Sequence, residues 1–191
     1  MKYLHQLQST LNHYALLERR HYISGTDRRE DDAAHSLSVA MICWHYYTKL
    51  ALSHLSEAKI FKYALIHDLV EIYAGDVMTY ASAEARQQKE VDEQRAFERL
   101  AAEFAEDTDL VSHLHDYQHM VDEESYFVWT CDKIQAYTQG SLDDWRTYLE
   151  YPITKQMLID KLAQQTDNVP ELMRGEFRRL SKLWIDSYPA I

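Results

Sequence analysis

The sequence predicts an all-α fold, and three observations carry that expectation. Only four glycines and three prolines punctuate 191 residues, too few for the tight turns of a sandwich or barrel. Apolar residues recur at spacings of three and four along most of the chain, the period of a helix with one buried face. With 46% apolar and 27% charged residues, the composition is that of a globular protein able to bury a substantial core. A single domain over residues 1–191 is expected, because no repeat, low-complexity tract or convincing linker divides the chain.

Taken in order, Leu4, Leu7, Leu11, Tyr14, Ala15 and Leu17 give an amphipathic first helix over residues 3–18. His21 to Asp32, with Gly25 and the charged run DRREDD, reads as an exposed connection. The second helix carries Ala34, Leu37, Val39, Ala40, Ile42 and Cys43, and its acidic start suits a helix N-terminus. A third begins near Ser56, a suitable cap, and runs through Phe61, Ala64 and Leu65 to about Ala74, where Gly75 can take the left-handed stop. Residues 83–105, 108–118 and 122–139 follow as further helices, the last opening on the acidic DEES. Residues 154–166 and 170–187 close the chain, with Pro170 near the first turn of the final helix.

Composition removes several functions. Lys and Arg total 20 against 31 Asp and Glu, a net charge of −11 that repels a nucleic-acid polymer. Gly25, Gly75, Gly140 and Gly175 stand alone, which excludes a Walker loop or a dinucleotide-binding glycine fingerprint. No apolar run approaches the ~20 residues of a bilayer span. The start MKYLHQLQST lacks the basic and apolar regions of a signal peptide, and Cys43 and Cys131 lie far apart, so a cytoplasmic protein with reduced thiols is expected. Both cysteines sit in apolar contexts, and no Ser has a recognisable base, which argues against nucleophilic catalysis.

The chemistry concentrates at His67 and Asp68 within ALIHDLVEIYAGDV. An otherwise apolar segment carries His67, Asp68 and Glu71 together, and burying ionisable groups without a partner or a metal costs several kcal/mol. Glu71 follows His67 by four residues and Asp68 by three, so one helical turn brings it near both, and Asp76 can lean back to the same place. His35 faces inward with Val39 and Ile42, and Asp132 shares a face with Val128, Trp129 and Ala136. Each alone is compatible with a satisfied core residue. Together, two imidazoles and two carboxylates suit one divalent ion such as Mn²⁺, Co²⁺, Zn²⁺, Fe²⁺ or Mg²⁺, with positions left open for water and substrate.

The pattern His35, His67-Asp68, Asp132 resembles the H…HD…D signature of HD-domain metal-dependent phosphohydrolases over about residues 19–148, leaving helices 154–187 to pack on that core. AAHSLSVAM, ALIHDLVEIYAGDV, KEVDEQRAF and DEESYFVWTCDKIQAY are similar in order and spacing to the HD-domain nucleotidases that act on 5′-deoxynucleoside monophosphates. The resemblance implies one metal on His35, His67, Asp68 and Asp132, catalytic carboxylates at Glu71 and Asp76, and phosphate binding by Arg20. Two positions depart from it: Ala34 stands where the family usually has glutamate, and His21 where an aromatic is expected. His113, His115 and His119 could serve a second metal, although SHLHDYQHMVDEE reads better as a solvated helix end, and Arg28 and Arg29 could add positive charge near the entrance. The expected partner is a small nucleotide, with no membrane, and the aromatic-rich helices are compatible with a homodimer. The alternatives are a non-catalytic helical binding module with a structural metal, or an HD hydrolase of another phosphorylated nucleotide.

Overall fold

Helix α7 (Glu123–Leu142) is buried nearly all round, with Phe127, Val128, Cys131, Ile134 and Tyr137 in the core. It starts at a capping box between Asp122 and Ser125, where Tyr63 Oη also donates to Asp122 Oδ2 at 2.9 Å. The structure, a computed structural model, describes residues 1–75, 80 and 83–189. Its described elements precede α7 as α1 (Lys2–Tyr14), β1 (Glu18–Tyr22), β2 (Arg29–Asp31), α2 (Asp32–Lys49), α3 (Glu57–Ile66), α4 (Glu71–Ala74), α5 (Ala83–Glu103) and α6 (Thr108–Gln118). After it come α8 (Arg146–Glu150), α9 (Lys155–Thr166) and α10 (Glu171–Ser187). The fold is all-α, as predicted, and none of the described helices is long and apolar enough to cross a membrane.

Two apolar clusters divide the interior. One joins α2, α3, α7, α9 and α10 through residues such as Cys43, Ile60, Phe127, Leu158 and Phe177. The other joins α1, α5 and α6 through Tyr14, Leu100, Phe104 and Leu114. Ala64 belongs to the first and Leu69 to the second, so His67 and Asp68 lie at the seam between them.

Three features differ from the sequence reading. Residues 18–31 form an antiparallel hairpin, turning through Gly25 at φ 75°, where an open connection was expected. The helix expected over residues 56–74 ends at Ile66, because His67 Nδ1 donates to the Ala64 carbonyl at 3.0 Å, the acceptor that a continuing helix would give to residue 68. Leu69 and Glu71 then make tighter bonds to the carbonyls three residues back before α4 resumes. The unpredicted α8 follows Trp145, which is fully buried in the left-handed region at φ 61° and donates its N–H to Gly140 O at 2.7 Å.

That last contact forces a glycine. A Cβ on Gly140 would lie 2.7 Å from Tyr148 Cε2 and 3.4 Å from Trp145 Cε3, both in buried rings. Gly140→Ala should therefore destabilise the fold by about 1–3 kcal/mol, the range for overpacking, when measured by urea unfolding. At the other side of the core, Glu176 of α10 accepts from Lys49 of α2 at 2.9 Å and from Arg179 at 2.8 Å, and these cations hold its carboxyl down to about 2 from 4.5. Because the folded value is the depressed one, the stabilisation is present above pH 4.5 and disappears as the pH falls toward 2. Glu176→Gln should cost about 1 kcal/mol at pH 7, the size of a solvent-accessible ion pair, and that deficit should close across the acid range. A deficit that did not change with pH would sink this account.

Candidate metal centre

Three segments deliver the buried polar groups to the seam. His35 comes from the first turns of α2, whose N-terminus is fixed by the Asp31 side chain accepting from Ala34 N at 2.8 Å. His67 and Asp68 come from the break after α3, and Asp132 from the middle of α7. His35 Nε2 lies 3.1 Å from His67 Nε2, 3.1 Å from Asp132 Oδ1 and 3.5 Å from Asp68 Oδ2, while His67 Nε2 lies 3.3 Å from Asp68 Oδ2. Donor atoms of His35, His67 and Asp68 all fall within 4.8 Å of one another. Asp132, 97 positions from His35, joins this group through His35 Nε2.

Both rings present Nε2 to that point because Nδ1 is engaged behind. His67 Nδ1 donates to Ala64 O, and His35 Nδ1 donates to Gln135 Oε1 at 3.0 Å. Burial and Arg19 act to lower the His35 pKa, but Asp132 and Glu30 outweigh them and lift it to about 9. Burial opposes ionisation of Asp68 and Asp132 as well; His67 and Arg19 nevertheless hold Asp68 well below the usual carboxylate range, and Lys133 and His35 do the same for Asp132. Two imidazole nitrogens facing each other beside two ionised carboxylates require a positive charge between them. A divalent ion would meet that need with these four donors, and the mixed nitrogen and oxygen set fits such an ion.

A ring of cations and carboxylates surrounds this point. Arg19 Nη1 donates to Asp68 Oδ2 at 2.6 Å and to the buried Asp32 Oδ1 at 3.1 Å. Lys133 Nζ donates to Asp132 Oδ2 at 2.6 Å. Glu71, only 4% exposed, accepts from Lys89 Nζ of α5 at 3.0 Å, and its carboxylate lies within 4.8 Å of those of Asp68 and Asp32. Burial opposes the Lys89 charge, but Glu71 and Glu93 prevail and raise its pKa. Beside His67 opens a cavity of about 320 Å³, lined by Lys89, Lys133, Asp132 and Glu71 among polar residues and by Trp129, Tyr117, Ile66 and Val70 among apolar ones. Lys133 Nζ sits 5.6 Å from the centre of the Trp129 ring.

Several expected residues lie elsewhere. Arg20 is exposed and donates to Tyr151 Oη at 3.1 Å, because alternation along β1 sends neighbours to opposite faces and puts Arg19, not Arg20, into the cluster. The run DRREDD is not simply a solvated loop, since Glu30 and Asp32 within it are 5% and 1% exposed. Arg28 pairs with Asp31 at the surface, and Arg29 stacks on Tyr22 at 4.3 Å, so both are engaged away from the centre. His113 Nδ1 donates to Asp109 O, and His119 Nδ1 to His115 O; among the described residues these histidines form no group of three metal donors. Asp76 lies outside the described residues. His21 shares the inward face of Arg19, packs 5.6 Å from the Tyr148 ring and is held neutral, its pKa pushed down to about 3 by burial and Arg19. Burial also pushes up the Cys131 thiol, in keeping with an inert core cysteine.

Residues 17–173 match the HD domain. The chain belongs to the HD-domain family. Among solved structures it is similar to a protein from Magnetospirillum magnetotacticum MS-1 described as a predicted metal-dependent phosphohydrolase. The TM-score is 0.77 at 21% identity, over 97% of this chain and 98% of that one, so the likeness is one of fold. No curated protein matches the chain. Within this HD domain, Glu30, Arg19, Asp32, Lys89 and Gln135 surround the signature residues without belonging to the signature. Gln135 alone had a sequence signal, three residues after Asp132 on one helix face.

Arg19 is the cation common to Asp32 and Asp68. Removing it leaves buried carboxylates uncompensated, a loss usually worth about 3–5 kcal/mol. Arg19→Met should show a deficit of that size by urea unfolding in chelator at pH 7, and a loss below about 1 kcal/mol, the range for an exposed ion pair, would mean that Arg19 is a surface group only.

Proposed function

We propose that this HD-domain protein is a metal-dependent phosphohydrolase that releases phosphate from a nucleoside 5′-monophosphate. One divalent ion would be held by His35, His67, Asp68 and Asp132. The observation that carries the reading is the convergence of His35 Nε2, His67 Nε2 and Asp68 Oδ2, with Asp132 Oδ1 against His35 Nε2, beside a cavity whose lining includes Lys89, Lys133 and Trp129. The similarity to a structure described as a predicted metal-dependent phosphohydrolase supports the same class. A cavity of about 320 Å³ is at the small end of ligand sites, which suits a mononucleotide.

When bound, the ion supplies Lewis acidity at the phosphoryl group and acidifies water. The chain supplies the rest. Lys89 and Lys133 present ammonium groups to a phosphate entering the cavity, and the Trp129 ring offers an apolar face to a base. Glu71 is the proton acceptor in this reading, buried close to Asp68 and hydrogen-bonded to Lys89, with Asp76 as its expected partner. Arg19 orients Asp68, while Arg20 has no role at the phosphate in this arrangement.

Chelator-stripped protein given each divalent metal in turn should release phosphate from one or more ribo- or deoxynucleoside 5′-monophosphates. No turnover with any combination would favour the alternative of a binding module with a structural metal. His67→Ala and Asp68→Ala should lose metal by elemental analysis. Glu71→Gln should keep metal and nucleotide but lose roughly 10²- to 10⁴-fold in kcat, the span of a general base; unchanged kcat with full metal would remove Glu71 from the chemistry.

A further inference from the structure

We infer that Gln135 and Glu30 are positioning residues that fix the tautomer of His35 and so set the affinity of the centre for a divalent cation. The inference rests on the metal reading above and concerns groups outside the ligand set. Gln135 lies one turn after Asp132 on α7, and the two side chains grip opposite nitrogens of His35: Asp132 Oδ1 at Nε2, 3.1 Å, and Gln135 Oε1 at Nδ1, 3.0 Å. An amide can present either an acceptor or a donor, so Gln135 alone does not fix the ring. Glu30 does. Its Oε1 accepts from Gln135 Nε2 at 2.8 Å, and a carboxylate oxygen cannot donate, so the amide nitrogen is turned to β2 and the carbonyl to His35. Nδ1 must then carry the proton, which frees Nε2 for a cation.

Glu30 is too far to do this directly, since its Oε2 lies 3.6 Å from His35 Nδ1, beyond a hydrogen bond. Its other neighbour is Arg19 Nε at 3.9 Å, the same guanidinium that holds Asp68. Glu30 therefore touches two ligands at one remove, His35 through an amide and Asp68 through a guanidinium. All three members of the relay are buried: His35 is 0% exposed, and Glu30 and Gln135 are each 5%. Without the carboxylate, the amide could reverse, turn its NH₂ toward Nδ1 and favour the tautomer whose Nε2–H points into the centre.

The test is Co²⁺ affinity, measured on the chelator-stripped full chain by competition with a chromophoric chelator. Glu30→Gln, nearly isosteric, and Gln135→Leu should each weaken binding by about 10- to 100-fold, the usual effect of losing a partner behind a ligand. The double variant Glu30→Gln with Gln135→Glu exchanges the two groups: the new carboxylate accepts from His35 Nδ1–H and the new amide donates to it, so affinity should return to within a few-fold of wild type. A merely structural role predicts no such recovery. Should Gln135→Leu fail to fold by circular dichroism, the single and double Glu30 variants decide the matter. Wild-type affinity in Glu30→Gln, or a double variant as weak as Glu30→Gln, overturns the relay. Absence of Co²⁺ binding by wild type itself, with His35→Ala as the control, overturns the metal reading and the relay together.

Discussion

Everything at the centre of this HD domain follows from the need to keep opposite charges together out of water. Asp32, Asp68, Glu71, Asp132 and Glu30 meet at the junction of two apolar clusters, and Arg19, Lys89, Lys133 and His35 are drawn in to balance them. A carboxylate left unpaired at such depth costs several kcal/mol, comparable with the whole stability of a domain. The backbone obeys the same demand. α3 stops where the His67 ring takes over the Ala64 carbonyl, β1 turns Arg19 inward, and the hairpin brings Glu30 under α7.

Helix α7 links this polar centre to the apolar frame. Within three turns it supplies Asp132 to the donors, Gln135 to the back of His35, Gln139 to the hairpin through Tyr22 O at 2.6 Å, and Gly140 to the close approach of Tyr148. A shift of α7 along its axis would move all four together, which is why its capping box and its glycine matter to the centre as well as to the core.

Most of the helices and the signature residues were legible from sequence because they obey local rules. Periods of three and four marked the helices, and ionisable groups stranded among apolar residues marked His67, Asp68 and Asp132. What escaped depends on long-range pairing. The hairpin is short and charged, so no alternation of apolar residues announced it, and the break after Ile66 is made by one side chain competing for one carbonyl. α8 escaped because Trp145 adopts a left-handed backbone that no residue preference foretells. Arg19 and Arg20 are chemically identical, and only the pairing of β1 decides which of them faces inward. Lys89 reaches Glu71 from a separate helix, a meeting that spacing along the chain does not encode.

The hydrogen bonds behind His35 span 100 residues to Gln135, and from there 105 residues back to Glu30. Contacts between such distant parts of a chain carry loop-closure entropy before they return any energy. The centre is accordingly a product of the finished domain. Neither the segment up to α4 nor the segment from α5 onward holds a complete donor set. Any local opening that parts α7 from the hairpin dismantles the centre while leaving most of the helices intact, so its integrity reports on that local opening before the whole molecule unfolds.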